Sequence, residues 1–277
     1  MSIKRILLPV SNQDDVTQIA DFAFTLAGHH KAEVQGVFPQ HSVWTDEWLD
    51  NWGLPEGEIE ALEMQSKKNA QEAELGAQKI FEDHAKRHEK VPAKFLPTFD
   101  MSTKSLLDYA IYADVAVLGH ISSPQSKYMR FLANQMLTQS TRPVIIAPSR
   151  PVPKNLGNRV VVAWKHGQEA SRAVAAALPL IEKADDVVIV SVGGSKDRNS
   201  LDDLGSYVSL HAKNVDIAVL DPKGQKTGHL LVEKTAEKSG SILVMGAFSH
   251  RRWREQVFGG VTDYVLHNTD VPVLMMH

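Results

Sequence analysis

The amino-acid sequence predicts an α/β fold of two tandem, doubly wound, five-stranded parallel sheets. Near-continuous Val/Ile/Leu runs of strand length alternate with helix-like stretches, the signature of strands covered by helices on both faces. The runs number ten and fall into two sets of five that repeat one another. Between the sets lies Pro148-Ser-Arg-Pro-Val-Pro-Lys-Asn-Leu-Gly157, whose three prolines and terminal glycine mark a semi-rigid linker. The reading therefore divides the chain into domains at 1–149 and 158–277.

In the first set the expected strands are Arg5 to Val10, Ala32 to Phe38, Ala93 to Phe99, Val115 to Gly119 and Pro143 to Ala147. An insertion-like stretch, 40–90, separates the second and third of these. Within it Glu56 to Lys90 is rich in Glu, Ala, Lys and Gln with apolar residues at helical spacing, which predicts a long amphipathic helix. Trp44, Trp48 and Trp52, four residues apart, share one helical face; they serve either as a cap on their own domain or as a dimer or partner surface. In the second set the strands are Arg159 to Trp164, Asp186 to Val192, Val215 to Leu220, Ile242 to Gly246 and Pro272 to Met276. The repeat aligns Lys4 to Val10 with Asn158 to Trp164, Asp114 to Gly119 with Ser241 to Gly246, and Thr141 to Ala147 with Asp270 to Met276.

Composition narrows the function. A net charge of −3 over 277 residues supplies no field that would draw nucleic acid or an anionic membrane. The absence of cysteine rules out disulfides and thiolate chemistry. Met1 to Val10 is too short an apolar run for a signal peptide and no stretch approaches the roughly 20 apolar residues that span a bilayer, so a cytoplasmic location is expected.

The strongest chemical signal is the end of the ninth run. Ser241-Ile-Leu-Val-Met-Gly246 opens into Ala-Phe-Ser249-His250-Arg251-Arg252 and then Gly259-Gly260-Val261, a strand-to-helix turn able to present backbone N–H groups to an anion. With Val160-Val-Val-Ala-Trp-Lys165-His-Gly-Gln-Glu-Ala-Ser-Arg-Ala-Val174 as opening and Gly259 to Leu266 as close, the chain resembles the universal stress protein family in its tandem form.

The resemblance implies a sheet in the order 3-2-1-4-5, of the adenine-nucleotide alpha-hydrolase-like type, with a ligand crevice where the winding reverses between the first and fourth strands. It places a nucleotide site, for ATP or AMP, on Ala163, Trp164, Lys165, Gly246, Ser249, His250, Arg251, Gly259, Gly260 and Val261. Members that bind ATP carry Gly, two residues, Gly, nine residues, Gly, then Ser or Thr. Here Gly246 and Gly259 keep that register, while Ser249 and Gly260 depart from it. The Asp that such members place near the nucleoside is Lys165 here and Ser11 in the first half. The first half has Leu132 and Ala133 where the glycine pair belongs, and a structural role is expected for it.

The family also pairs domains through their fifth strands, which in a tandem chain implies Pro143 to Ala147 against Pro272 to Met276, an intramolecular pseudo-dimer, with a homodimer as a further possibility. Two alternatives to nucleotide binding stay open at this stage: an interaction module that has given up nucleotide, and a slow hydrolase of nucleotides or other phosphate esters. No general base, catalytic triad or metal site is identified. His84 and His88 have a metal-ligand spacing, but Lys86 and Arg87 between them oppose a cation. His29 and His30 are expected as solvated loop residues, His211 and His229 as surface or boundary residues on helices, and Asp202-Asp203 as the acidic first turn of a helix.

Overall fold

The computed structural model describes residues 2–11, 16–39, 56–96, 106–120, 127–152, 155–193, 198–247 and 260–277. In chain order the first half carries β1 (Arg5–Pro9), α1 (Val16–His30), β2 (Glu33–Val37), α2 (Glu56–Arg87), β3 (Ala93–Leu96), α3 (Leu106–Ala110), β4 (Val115–Leu118), α4 (Lys127–Gln139) and β5 (Val144–Ile146). The second carries β6 (Arg159–Ala163), α5 (Gln168–Ile181), β7 (Asp186–Val192), α6 (Arg198–Ser209), β8 (Val215–Leu220), α7 (Thr227–Glu237), β9 (Ile242–Gly246), α8 (Gly260–Asn268) and β10 (Val273–Met276). Trp44, Trp48 and Trp52 lie outside the described residues.

Within each half the strands are parallel and ordered 3-2-1-4-5: β3-β2-β1-β4-β5 in the first and β8-β7-β6-β9-β10 in the second. The halves do not keep separate sheets. β5 and β10 pair antiparallel, with Val273 opposite Ile146 and Met275 opposite Val144, which fuses them into one ten-stranded sheet. Two edges that would otherwise expose unpaired N–H and C=O groups are removed at once.

The apolar runs read as fully buried because alternate residues pack against opposite helix layers. Ile6, Leu8, Val160 and Val162 face a layer built from α1, α2, α5 and α6, including Phe24, Phe81, Ala173 and Leu201. Leu7, Val161, Leu118 and Met245 face the other, built from α3, α4, α7 and α8, including Tyr109, Met136, Leu231 and Val265. Each such side chain contributes roughly 1.5–3 kcal/mol relative to exposure.

The repeat extends to polar detail. At the same register point of each half an arginine opens the first strand and pairs with a carboxylate opening the second: Arg5 with Glu33, and Arg159 with Asp186. Each arginine also donates to a carbonyl ahead of the fourth strand of its half, Arg5 to Tyr112 at 3.0 Å and Arg159 to Lys238 at 2.7 Å. The two helix layers are stitched across the junction as well, where Arg130 of α4 reaches Asp263 of α8 at 3.4 Å and His267 Nε2 at 3.0 Å.

Three local expectations are corrected. His29 and His30 are not loop residues: α1 runs through Gly28, where a Cβ would meet only Val91 at ordinary contact distance, to His30. His30 is buried rather than solvated, and burial, then Lys183 and His29, lower its pKa to about 4. Asp202 and Asp203 fall in the second turn of α6, which starts at Arg198. His84 is buried on α2, its Nδ1 2.9 Å from an Asp21 carboxylate oxygen and its ring stacked near Phe24. Burial lowers the pKa of His84, with Asp21 opposing that shift.

Candidate functional site

The winding reverses between β6 and β9, which lie side by side with Ala163 opposite Met245. Their carboxyl ends lead into Trp164–Gly167 and into Ala247, so the described starts of the two loops singled out from the sequence leave neighbouring strands. Ser249, His250, Arg251 and Gly259, together with Arg252 and Arg254, lie outside the described residues.

Gly246 has a role the sequence did not distinguish from anion binding. A Cβ on it would stand 2.7 Å from Ala170 N and 2.8 Å from Glu169 C, backbone atoms in the first turn of α5. The glycine lets the helix N-terminus sit directly on the end of β9. Ala247 behind it is fully buried, and its N–H donates to Met276 O at 2.9 Å.

Gly260 is different. It is the first residue of α8, exposed, and a Cβ on it would meet nothing within 4 Å. Among the described residues nothing fills the space beside it at this helix start, where N–H groups and the dipole favour an anion. Val261 follows and is also exposed.

On the opposing loop Lys165 and His166 are exposed, while Trp164 turns back toward the helix layer and donates from Nε1 to Ser200 Oγ at 3.0 Å. His166 Nδ1 lies 3.1 Å from that same oxygen. Sequence spacing gave no signal for this contact: residues 34 apart meet because β6 and β7 are neighbours and α6 follows β7. Gly167 precedes α5 with extended backbone and no side-chain cap, leaving the N-terminal amides of that helix without a side-chain acceptor at this position.

The residues present fit a phosphate better than a nucleoside. Lys165 supplies a cation, the starts of α5 and α8 supply amides, and Gly260 supplies room. No carboxylate stands at position 165 to accept hydrogen bonds from a sugar or base. Among the described residues no group of three or more His, Cys, Asp or Glu side chains is arranged to hold a metal.

In the first half the corresponding glycine, Gly119, is crowded by a side chain: its Cβ would stand 2.5 Å from Ile19 Cδ1. Ser11, the counterpart of Lys165, is buried, and the residues at 121–126 lie outside the described set. Among the described residues no helix is long and apolar enough to cross a membrane.

Residues 157–277 match the universal stress protein family. A universal stress protein from Archaeoglobus fulgidus DSM 4304 superimposes on the whole chain with a TM-score of 0.69 at 15% identity, covering 99% of this chain and 96% of its own. A putative universal stress protein from Pseudomonas aeruginosa UCBPP-PA14 gives a TM-score of 0.56 at 12% identity, covering 99% of this chain and 93% of its own. A functionally unknown protein from Pseudomonas aeruginosa PAO1 gives 0.57 at 12% identity over 99% and 92%. These likenesses establish the shared tandem fold. Comparison with curated proteins finds no match.

Proposed function

Because residues 157–277 belong to the universal stress protein family, we propose that this chain is a stress-response protein whose second half binds an adenine nucleotide, ATP or AMP, in the crevice between β6 and β9. The observation that carries the reading is the seating of the α5 N-terminus on the end of β9 through Gly246, with Gly260 at the described start of α8 meeting no described residue within 4 Å. The reading takes the starts of α5 and α8 as amide donors and Lys165 as the cation for the phosphates. Ser249, His250, Arg251 and Gly259 complete the set by sequence position.

Occupancy of the crevice is the signal, and turnover is incidental. The described polar residues at the crevice are Lys165, His166 and Glu169, whose Oε2 lies 3.3 Å from where a Cβ on Gly167 would stand, and the reading assigns none of them a role in turnover. His166 is engaged with Ser200, whose hydroxyl is held by Trp164.

The test is thermal denaturation and calorimetric titration with ATP and AMP. Saturation at about 100 times Kd stabilises by about 2.7 kcal/mol, a rise of several degrees. Lys165→Glu removes the effect by placing a negative charge beside the phosphates. Gly260→Ser, which the open space admits, strengthens it by restoring a hydroxyl donor. An unchanged melting point at millimolar ATP in the wild type overturns the reading. The replacement of a carboxylate by Lys165 and the missing hydroxyl at Gly260 would then favour an interaction module without nucleotide.

A further inference from the structure

Pairing β5 with β10 inside the chain leaves the ten-stranded sheet with two outer edges, β3 and β8. The two are unlike. β3 is four residues long, follows Pro92, and turns Phe95 toward Phe81 of α2, their ring centroids 5.7 Å apart. β8 is six residues long, and Ile217 and Val219 on one of its faces stay exposed, at 37% and 50%. α6 lies close over that face, where a Cβ on Gly205 would stand 2.8 Å from Ile217 Cδ1.

The backbone of β8 fixes which groups point outward. Val187 N of β7 donates to Asn214 O, and Gly193 N to Leu220 O, so the even-numbered residues turn to β7. By the alternation of a strand, Val215, Ile217 and Val219 direct their N–H and C=O groups away from the sheet. Among the described residues no strand pairs with that side. The Ile217 N–H does reach the Asp216 carboxylate, which Lys238 holds at 2.9 Å.

The side chains in this register are self-complementary. Lys213, Val215, Ile217, Val219 and Asp221 run from a cation at one end to a carboxylate at the other. Laid antiparallel on a copy of itself about a two-fold at Ile217, the strand sets Ile217 against its own copy, Val215 against Val219 and Lys213 against Asp221. The facing residues all point their N–H and C=O groups outward, so every facing pair within the strand is of the hydrogen-bonded kind. Moving the two-fold by one residue, to Ala218, sets Lys213 against Lys223 and Val215 against Asp221, so charge selects the first register. An edge guarded by like charges at both ends repels a second copy, whereas these ends attract it.

We propose that β8 is a docking edge for a second copy of this chain, joined antiparallel about Ile217 so that the sheet continues from one copy into the other. The Ile217 N–H exchanges its neighbour's carboxylate for a carbonyl of the second copy, and Asp216 keeps Lys238. A pair of six-residue edges is small against the roughly 1,200–2,000 Å² of stable complexes, so the dimer is a weak, concentration-dependent one. It uses an edge that the internal β5–β10 pairing leaves open, and it does not depend on nucleotide.

The experiment is sedimentation equilibrium of the full chain from micromolar to sub-millimolar concentration, with thermal melting of each variant as the check on folding. The wild type is expected to dimerise over this range. Lys213→Glu sets like charges against Asp221, Asp221→Lys sets like charges against Lys213, and each is expected to weaken dimerisation about tenfold or more. Both residues are exposed, so both variants are expected to melt close to the wild type. Mixed in equal amounts, the two variants restore the dimer, because each supplies the charge that the other lacks. That recovery is one that a merely structural effect of either substitution does not produce. A wild type that stays monomeric throughout, a dimer that either variant leaves unchanged, or a mixture that associates no better than its components overturns the proposal.

Discussion

Gly246 and Gly260 belong to the same glycine pattern, yet the structure assigns them opposite sensitivities to a single methyl group. At Gly246 the methyl would approach Ala170 N at 2.7 Å, Glu169 C at 2.8 Å and Glu169 Cβ at 3.0 Å. Two of these are backbone atoms, so relief requires moving the first turn of α5 rather than turning a side chain. That turn is held by Ser171 N donating to Gly167 O at 3.1 Å and by Ala170 and Ala173 packed against the sheet. Overpacking of this kind costs about 1–3 kcal/mol, and the narrower unfolded ensemble of alanine returns about 0.4–1 kcal/mol. Gly246→Ala is therefore expected to lose about 1–2 kcal/mol, a fall in melting temperature of roughly 2–8 °C. Gly260→Ala meets no described residue within 4 Å at a helical position, so it is expected to gain up to about 1 kcal/mol. Thermal and urea denaturation followed by far-ultraviolet circular dichroism measures both. A Gly246→Ala protein that melts with the wild type, or a Gly260→Ala protein as destabilised as its neighbour, would refute the assignment.

Two further predictions concern stability. His30 is neutral in the folded chain with its pKa at about 4, against 6.5 for the ordinary imidazole. The unfolded chain thus takes up a proton first as pH falls; the contribution is complete above about pH 6.5 and is lost progressively toward pH 4, by about 2 kcal/mol at pH 5. His30→Gln should flatten this dependence, and equal slopes of urea midpoint between pH 7 and 5 in variant and wild type would count against it. Arg159→Met should destabilise the second half by about 1–2 kcal/mol, because it frees a half-buried Asp186 carboxylate and the Lys238 carbonyl together. Asp186→Asn in the same background should then add less than it does alone, and full additivity in that double-mutant cycle would deny the coupling.

Much of the scaffold was legible because its physics is local. A strand buried on both faces must be apolar throughout, so Arg159–Ala163 and Ile242–Gly246 announce themselves without reference to their neighbours. The repeat could be read from Lys4 to Val10 against Asn158 to Trp164, and it survives in space as the matched Arg5–Glu33 and Arg159–Asp186 pairs. His30 was misplaced because glycine and paired histidines suggest a loop, whereas packing of α1 on the sheet carries the helix through Gly28. The Trp164–Ser200–His166 contact was invisible for a related reason, since only the order of β6 and β7 brings those positions together.

The sequence by itself determined the two sets of five strands, which follow from periodicity and chain order. The family resemblance anticipated the pairing of Pro143 to Ala147 with Pro272 to Met276 that joins the halves into one sheet, whereas only the tertiary structure decided that Gly246 seats a helix while Gly260 meets no described residue. The physical reason is that hydrophobic pattern records which face of an element is buried, whereas steric clearance and electrostatic potential depend on what stands opposite, and the sequence does not order its residues by distance in space.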